Sequence, residues 1–176
     1  LVGELEMEFL HEGLPRPVDS HRIGVVSTGT HNVAALRAAA IEPAIRALVI
    51  DRPFRDLSSF IDRRFDHMGL PGRSMGRLYE WSFSLATVSD LNEASAAKWA
   101  SQLSPRQAVL VTAWQKDPLV PSGEPLIVLQ AAGGPQQLKV NPHQPTSISH
   151  PAEMPADIIQ FFAEHLDKPD AKPPGD

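Results

Sequence analysis

Three short apolar runs and a fourth, weaker one recur along the chain, separated by segments with helical or polar patterns. The first three are apolar on both faces, which is typical of strands in a parallel sheet covered by helices on both sides. The predicted strands are residues 22–27, 45–50, 108–113 and 137–141.

The segments between these strands indicate helices. Residues 31–42 are rich in alanine and meet no helix breaker before Pro43, and small residues suit a helix packed closely on a sheet. Residues 126–130 end a further predicted helix, and residues 156–166 form the last one. The apolar stripe of that last helix consists of Ile158, Ile159, Phe162 and Leu166. This alternation predicts an α/β fold with a parallel sheet flanked by helices.

An insertion at residues 54–104 interrupts the alternation. It is rich in Arg and Asp, and we expect it to be mainly helical. An insertion of this kind is expected to form a lid over the carboxyl ends of the strands, with Trp81 or Phe83 facing the cleft. Residues 1–168 are therefore predicted to form a partial α/β domain that includes this lid. The polar, proline-rich residues 169–176 are predicted to be a disordered tail.

The composition and net charge argue against several classes of function. The 176 residues suggest one domain, and 21 acidic against 16 basic residues give a net charge of -5, which argues against a nucleic-acid surface. No apolar run approaches the length of a membrane span. The absence of cysteine excludes disulfides, thiolate catalysis and Cys-based zinc sites, and it leaves the cellular compartment open. We expect no metal, because no His pair has i, i+4 spacing on a predicted helix. We also expect no cofactor, since no GxGxxG motif follows the first strand and no GxxxxGKS or GxxxxGKT motif is present, which argues against a nucleotide-binding domain.

The most informative segment is the one in which Ser27 follows the first predicted strand and precedes a turn of small residues and a helix. A sharp turn from strand to helix lifts a serine hydroxyl above the sheet and directs the following backbone N–H groups into the same space. This arrangement suits a nucleophile. An ordinary strand-to-helix turn that contains a serine would have the same sequence pattern.

An acidic residue and two histidines extend this pattern. Asp117 follows the third predicted strand, at the edge where open α/β sheets place functional groups. His143 and His150 then precede the last helix. The chain order Ser, Asp, His is that of the catalytic triad in α/β-hydrolases. A solvated loop aspartate or a helix cap would explain Asp117 equally well.

From about residue 5 to 166 the chain resembles the C-terminal two thirds of an α/β-hydrolase, nearest the prolyl-oligopeptidase-like and dienelactone-hydrolase-like esterases. The order and spacing of the matching segments, rather than any one of them, carry the resemblance. The segments are Val18-Asp19, Arg22–Val25, Ser27-Thr28-Gly29, Ile45–Val49, Asp51–Leu57, Val109–Val111, Asp117 with Val120-Pro121, and Ile158–Phe162.

The resemblance implies a role for each candidate residue. Ser27 would be the nucleophile, His150 the general base and Asp117 the acid that orients the base, while the Thr28 N–H would be one oxyanion donor. His143 is the alternative base. The implied function is a serine hydrolase that acts on a small-molecule ester or amide, with a carboxylic ester favoured. An oligomer is compatible with this function.

Three departures from the family pattern keep a second function open. Val25 and Thr30 stand where the family's turn has its first and last glycines, and Trp114-Gln115 replaces the usual glycine after the acid strand. About four strands precede the turn in an α/β-hydrolase, but only some twenty residues precede it here, so the N-terminal strands are expected to be missing. The alternative is a non-catalytic α/β-hydrolase-like domain used for binding or assembly.

Overall fold

The structure is a computed structural model that describes residues 22–66, 74–80, 82, 94–142 and 156–166. The elements in chain order are β1 (Ile23–Thr28), α1 (His31–Ile41), β2 (Ile45–Asp51), α2 (Leu57–Asp66), α3 (Ala96–Ala100), β3 (Ala108–Trp114), α4 (Gly123–Ala131), β4 (Gln136–Asn141) and α5 (Ala156–Leu166). Residues 74–80 are also helical.

The sheet contains four described strands in the order β1-β2-β3-β4, and every neighbouring pair is parallel. The predicted parallel sheet flanked by helices is therefore confirmed. Each strand lies within a residue or two of its predicted position, and the predicted parallel pairing of the first two strands is confirmed by the register of Val25 with Leu48.

Side-chain alternation divides the core into two layers. Leu48, Ile50, Val109 and Val111 face a layer that contains α1, α3 and α4, whereas Ala47, Val49, Ala108 and Leu110 face Phe161 of α5. Both faces of β2 and β3 are thus covered, which is why these strands are apolar throughout. Gly24 in β1 allows α5 to pack closely, because a Cβ at this position would lie 2.7 Å from the Phe162 ring.

Residues near the two ends of the insertion contact each other. Asp56 and Ser95 form an antiparallel bridge, and the Leu57 N–H donates to the Ala94 carbonyl oxygen at 3.2 Å. Between these points, Ser58 of α2 donates a hydrogen bond to Glu80 at 2.5 Å. After Ser95, the helix α3 packs in the core layer that also contains α1 and α4. The described part of the insertion is helical, and its role as a lid stays a prediction, since Trp81 and Phe83 lie outside the described residues.

Asp56 lies near the start of the insertion and caps the N-terminus of α2. Its Oδ1 accepts the Ser59 N–H at 2.8 Å, and its Oδ2 pairs with the Arg55 Nε at 2.7 Å. Partial burial raises the pKa of Asp56, but the hydrogen bonds from Ser59 and Arg55 outweigh burial, so the pKa lies below its ordinary value. A carboxylate at a helix N-terminus also interacts favourably with the helix dipole.

We expect Asp56→Ala to lower the free energy of unfolding by about 1 kcal/mol at neutral pH, because the helix loses its cap. The folded-state pKa is depressed, so the stabilisation is fully present above about pH 4 and is lost as pH falls through the folded-state value. Urea unfolding of both proteins between pH 7 and about pH 2.5 measures this difference. Asp62→Ala, on the exposed side of α2, is the matched control and should change little. A gap that does not narrow as the pH falls would contradict the explanation.

Candidate active site

A buried carboxylate lies at the carboxyl edge of the sheet. Asp51, the last residue of β2, is 4% exposed and accepts hydrogen bonds from Thr28, Thr112 and Trp114. Thr28, Asp51 and Thr112 lie side by side in the register of three parallel strands. Asp51 therefore ties the ends of β1, β2 and β3 together, and it is a residue that sequence analysis did not single out.

The next residue, Arg52, combines an uncommon backbone conformation with two charge contacts. Its φ is 51°, and its N–H donates to the Thr112 carbonyl oxygen at 2.9 Å. Its guanidinium lies 3.5 Å from an Asp51 oxygen and 3.6 Å from Asp117 Oδ2. Positive φ in a non-glycine residue costs on the order of 1–2 kcal/mol, so the surrounding contacts must hold this geometry in place.

Asp117 lies at the same edge, in the loop after β3. Its side chain is 2% exposed, and its Oδ1 accepts the N–H groups of Leu119 and Val120 at 2.8 and 3.1 Å. Its Oδ2 accepts no hydrogen bond from any described residue and has the Arg52 guanidinium as its nearest charge partner. One oxygen is thus fixed by the backbone while the other remains available to a further donor.

The first helix of the insertion is attached to this acid-bearing loop. Arg63 of α2 donates through Nε to the Leu119 carbonyl oxygen at 2.9 Å, and its Nη1 lies 2.7 Å from Glu124 Oε1. The other oxygen of Glu124 accepts the Arg55 N–H at 3.1 Å. These contacts place α2 beside the loop that follows β3, on the carboxyl side of the sheet.

Ser27 lies inside β1 rather than at the turn. It pairs with Ile50, and alternation places it on the same face as Val25, towards the layer that contains α1. The residue is 8% exposed, and its Oγ is buried without a hydrogen-bond partner among the described residues. The strand continues through Thr28, so Ser27 is the last but one residue of β1.

Gly29 makes the turn from β1 to α1. Its φ is 60°, its N–H donates to the Asp51 carbonyl oxygen at 3.1 Å, and its own carbonyl oxygen accepts the Asn32 N–H at 3.3 Å. Asn32 is fully buried and reinforces the turn by donating through Nδ2 to the Asp51 carbonyl oxygen at 2.8 Å. The signal that could have revealed this turn in the sequence is the glycine two residues before the start of the helix.

The structure brings Thr28 and Asp117 to the same edge as Asp51, whereas His143 and His150 lie outside the described residues. The roles assigned to Ser27, Thr28, Asp117, and either histidine therefore stay predictions. Within the described ranges, no group of three or more His, Asp or Glu side chains is gathered as a metal site. None of the described helices is long and apolar enough to span a bilayer.

Comparison with known proteins finds similarity in structure only. No protein-family model and no curated protein matches the chain. The chain is similar to acetyl xylan esterases from Thermoanaerobacterium sp. (20% identity, TM-score 0.58, covering 93% of this chain and 50% of that one) and Paenibacillus sp. R4 (17%, 0.61, 94% and 51%). It is also similar to an acylaminoacyl peptidase from Pyrococcus horikoshii (13%, 0.56, 90% and 26%).

The chain spans about half the length of the two esterases and about a quarter of the length of the peptidase. At these identities the likeness establishes the fold. The similar structures are esterases and peptidases, and the catalytic groups of this chain have to be argued from the site itself.

We expect Asp51→Ala to lower the free energy of unfolding by about 3 kcal/mol, because it leaves the donors of Thr28, Thr112 and Trp114 without their buried acceptor. Thr28→Val removes one donor and should cost about 1 kcal/mol. Urea unfolding followed by Trp fluorescence measures both. Equal losses in the two variants would argue against Asp51 as the common acceptor.

We expect the free energy of unfolding of Arg52→Gly to exceed that of Arg52→Ala by about 1 kcal/mol, although both variants lose the ion pairs of Arg52. The reason is the positive φ, which glycine adopts without strain and alanine does not. Ala38→Gly on the exposed side of α1 is the control. At this helical position glycine should be less stable than alanine, and the free energy of unfolding should fall by about 1 kcal/mol. Chemical denaturation of these variants and the parent protein decides the question, and an Arg52→Ala variant at least as stable as Arg52→Gly would refute the strain.

Proposed function

We propose that this chain, which has the α/β-hydrolase fold, is part of a hydrolase-like domain that binds a small ester or amide at the carboxyl edge of its sheet without cleaving it. The observation that carries the proposal is the residue at the strand-to-helix turn. In this fold a serine nucleophile stands on that turn with its hydroxyl exposed above the sheet. Here Gly29 occupies the turn, and it has no side chain with which to attack.

The position of Ser27 supports the same proposal. A nucleophile must approach a carbonyl carbon, but the Ser27 Oγ is buried and faces the layer beneath α1. Because Ser27 lies two residues before the turn at Gly29, no small adjustment of β1 brings its hydroxyl to that position. A register shift of two residues would be needed.

A second candidate is the serine hydrolase implied by the sequence, with Ser27 as nucleophile, His150 as base, Asp117 as acid and Thr28 as oxyanion donor. Two observations favour it. The similar structures are esterases and peptidases, and Asp117 keeps one carboxylate oxygen free of hydrogen bonds within the described part of the chain. A triad acid needs such an oxygen to orient its histidine.

A fluorophosphonate probe on the full-length protein separates the two candidates. We expect no covalent label on this chain, because the probe reacts with an activated and accessible serine. Mass spectrometry of the peptide that contains residues 22–37 is the readout, with an esterase of the same fold as the positive control. A label that disappears in Ser27→Ala would establish the serine hydrolase and refute the binding-only function.

A further inference from the structure

The backbone at position 29 has the geometry that a nucleophile requires in this fold. β1 ends at Thr28, α1 begins at His31, and Gly29, which turns the chain between them, has φ of 60°. A nucleophilic serine in an α/β-hydrolase sits on a sharp, strained turn of this kind between strand and helix. In this chain the strain is avoided because the residue is glycine.

The space in front of position 29 is open. A Cβ built on Gly29 meets no described heavy atom within 4 Å, in contrast to Gly24, where a Cβ would lie 2.7 Å from the Phe162 ring. Among the described residues, nothing would obstruct the Cβ of a side chain at position 29. The turn is held by bonds of its backbone to Asp51 and Asn32, neither of which involves a side chain at this position.

The acid of the site is intact at the same edge. Asp117 is buried, its Oδ1 is fixed by two backbone N–H groups, and its Oδ2 has no hydrogen-bond partner among the described residues. A buried carboxylate oxygen without a donor is costly in a role that is only structural. Its placement fits an acid that holds a donor from a neighbouring base.

We infer that position 29 is the nucleophile position of this site and that it is occupied here by glycine, which has no side chain. The substitution Gly29→Ser alone would then give the protein the reactivity of a serine hydrolase. This inference rests on the proposed function and deepens it. With a fluorophosphonate, the hydroxyl oxygen introduced by Gly29→Ser would form a bond to phosphorus, and the P–F bond would break. Fluoride would leave, and the hydroxyl proton would pass to a basic side chain or to water.

The first test compares labelling in the full-length protein. We expect Gly29→Ser to be labelled at position 29, Gly29→Ala to remain unlabelled, and the double variant Gly29→Ser with Asp117→Asn to react at least roughly tenfold more slowly than Gly29→Ser. Circular dichroism confirms that each variant is folded. A folded Gly29→Ser protein that takes no label would overturn the inference and leave the proposed function intact.

The second test needs no catalysis and uses the absence of cysteine in this chain. We expect the thiol of Gly29→Cys to react with a thiol-specific alkylating reagent in the native protein, and the thiol of Ser27→Cys to react only after unfolding. The modified peptides are identified by mass spectrometry. Equal protection of the two thiols in folded protein would refute the exposed position 29, even if the serine variant fails to fold.

The two proposals fail in different ways. Ser27-dependent labelling of the unsubstituted protein would remove the proposed function and, with it, the assignment of position 29. An unlabelled parent protein with an unreactive Gly29→Ser would remove only the assignment.

Discussion

The hydrogen bonds to the Asp51 carboxylate hold the carboxyl edge of the sheet together. A buried carboxylate is tolerated only when its oxygens are satisfied, and here donors from β1 and β3 converge on it while Arg52 supplies a charge partner. The backbone of the same residue receives the N–H of Gly29 and the side chain of Asn32. The strand ends, the turn into α1 and the orientation of Arg52 therefore all depend on one residue.

Ser27 and Gly29 are only two residues apart in the sequence, but they lie in different surroundings. Two residues along a strand return a side chain to the same face, but the chain leaves the strand between these positions, so one residue remains beneath α1 and the other reaches the edge. Among the described residues, the Ser27 hydroxyl therefore lies in the interior, while the turn at the edge is made by a glycine. This arrangement is the basis of the proposed binding without cleavage.

The acid-bearing loop is connected to the insertion as well as to the sheet. Arg63 of α2 contacts the Leu119 carbonyl oxygen and Glu124, while the Asp117 carboxylate holds the N–H groups of the same loop. Hydrogen bonds thus connect α2 to Asp117 through Leu119. This contact between the insertion and the loop does not require the insertion to cover a cleft.

The sequence by itself determined the parallel sheet, its strand positions and the helices on both faces, because apolar periodicity records which faces are buried. It also located Asp117, since a polar residue after a buried strand must lie at the sheet edge. Only the tertiary structure decided which residue makes the turn after β1. The end of a strand depends on pairing with its neighbour, here Thr28 with Asp51. Gly29 marks a turn in the sequence, but the residues from Val25 to Thr30 do not show where that pairing ends.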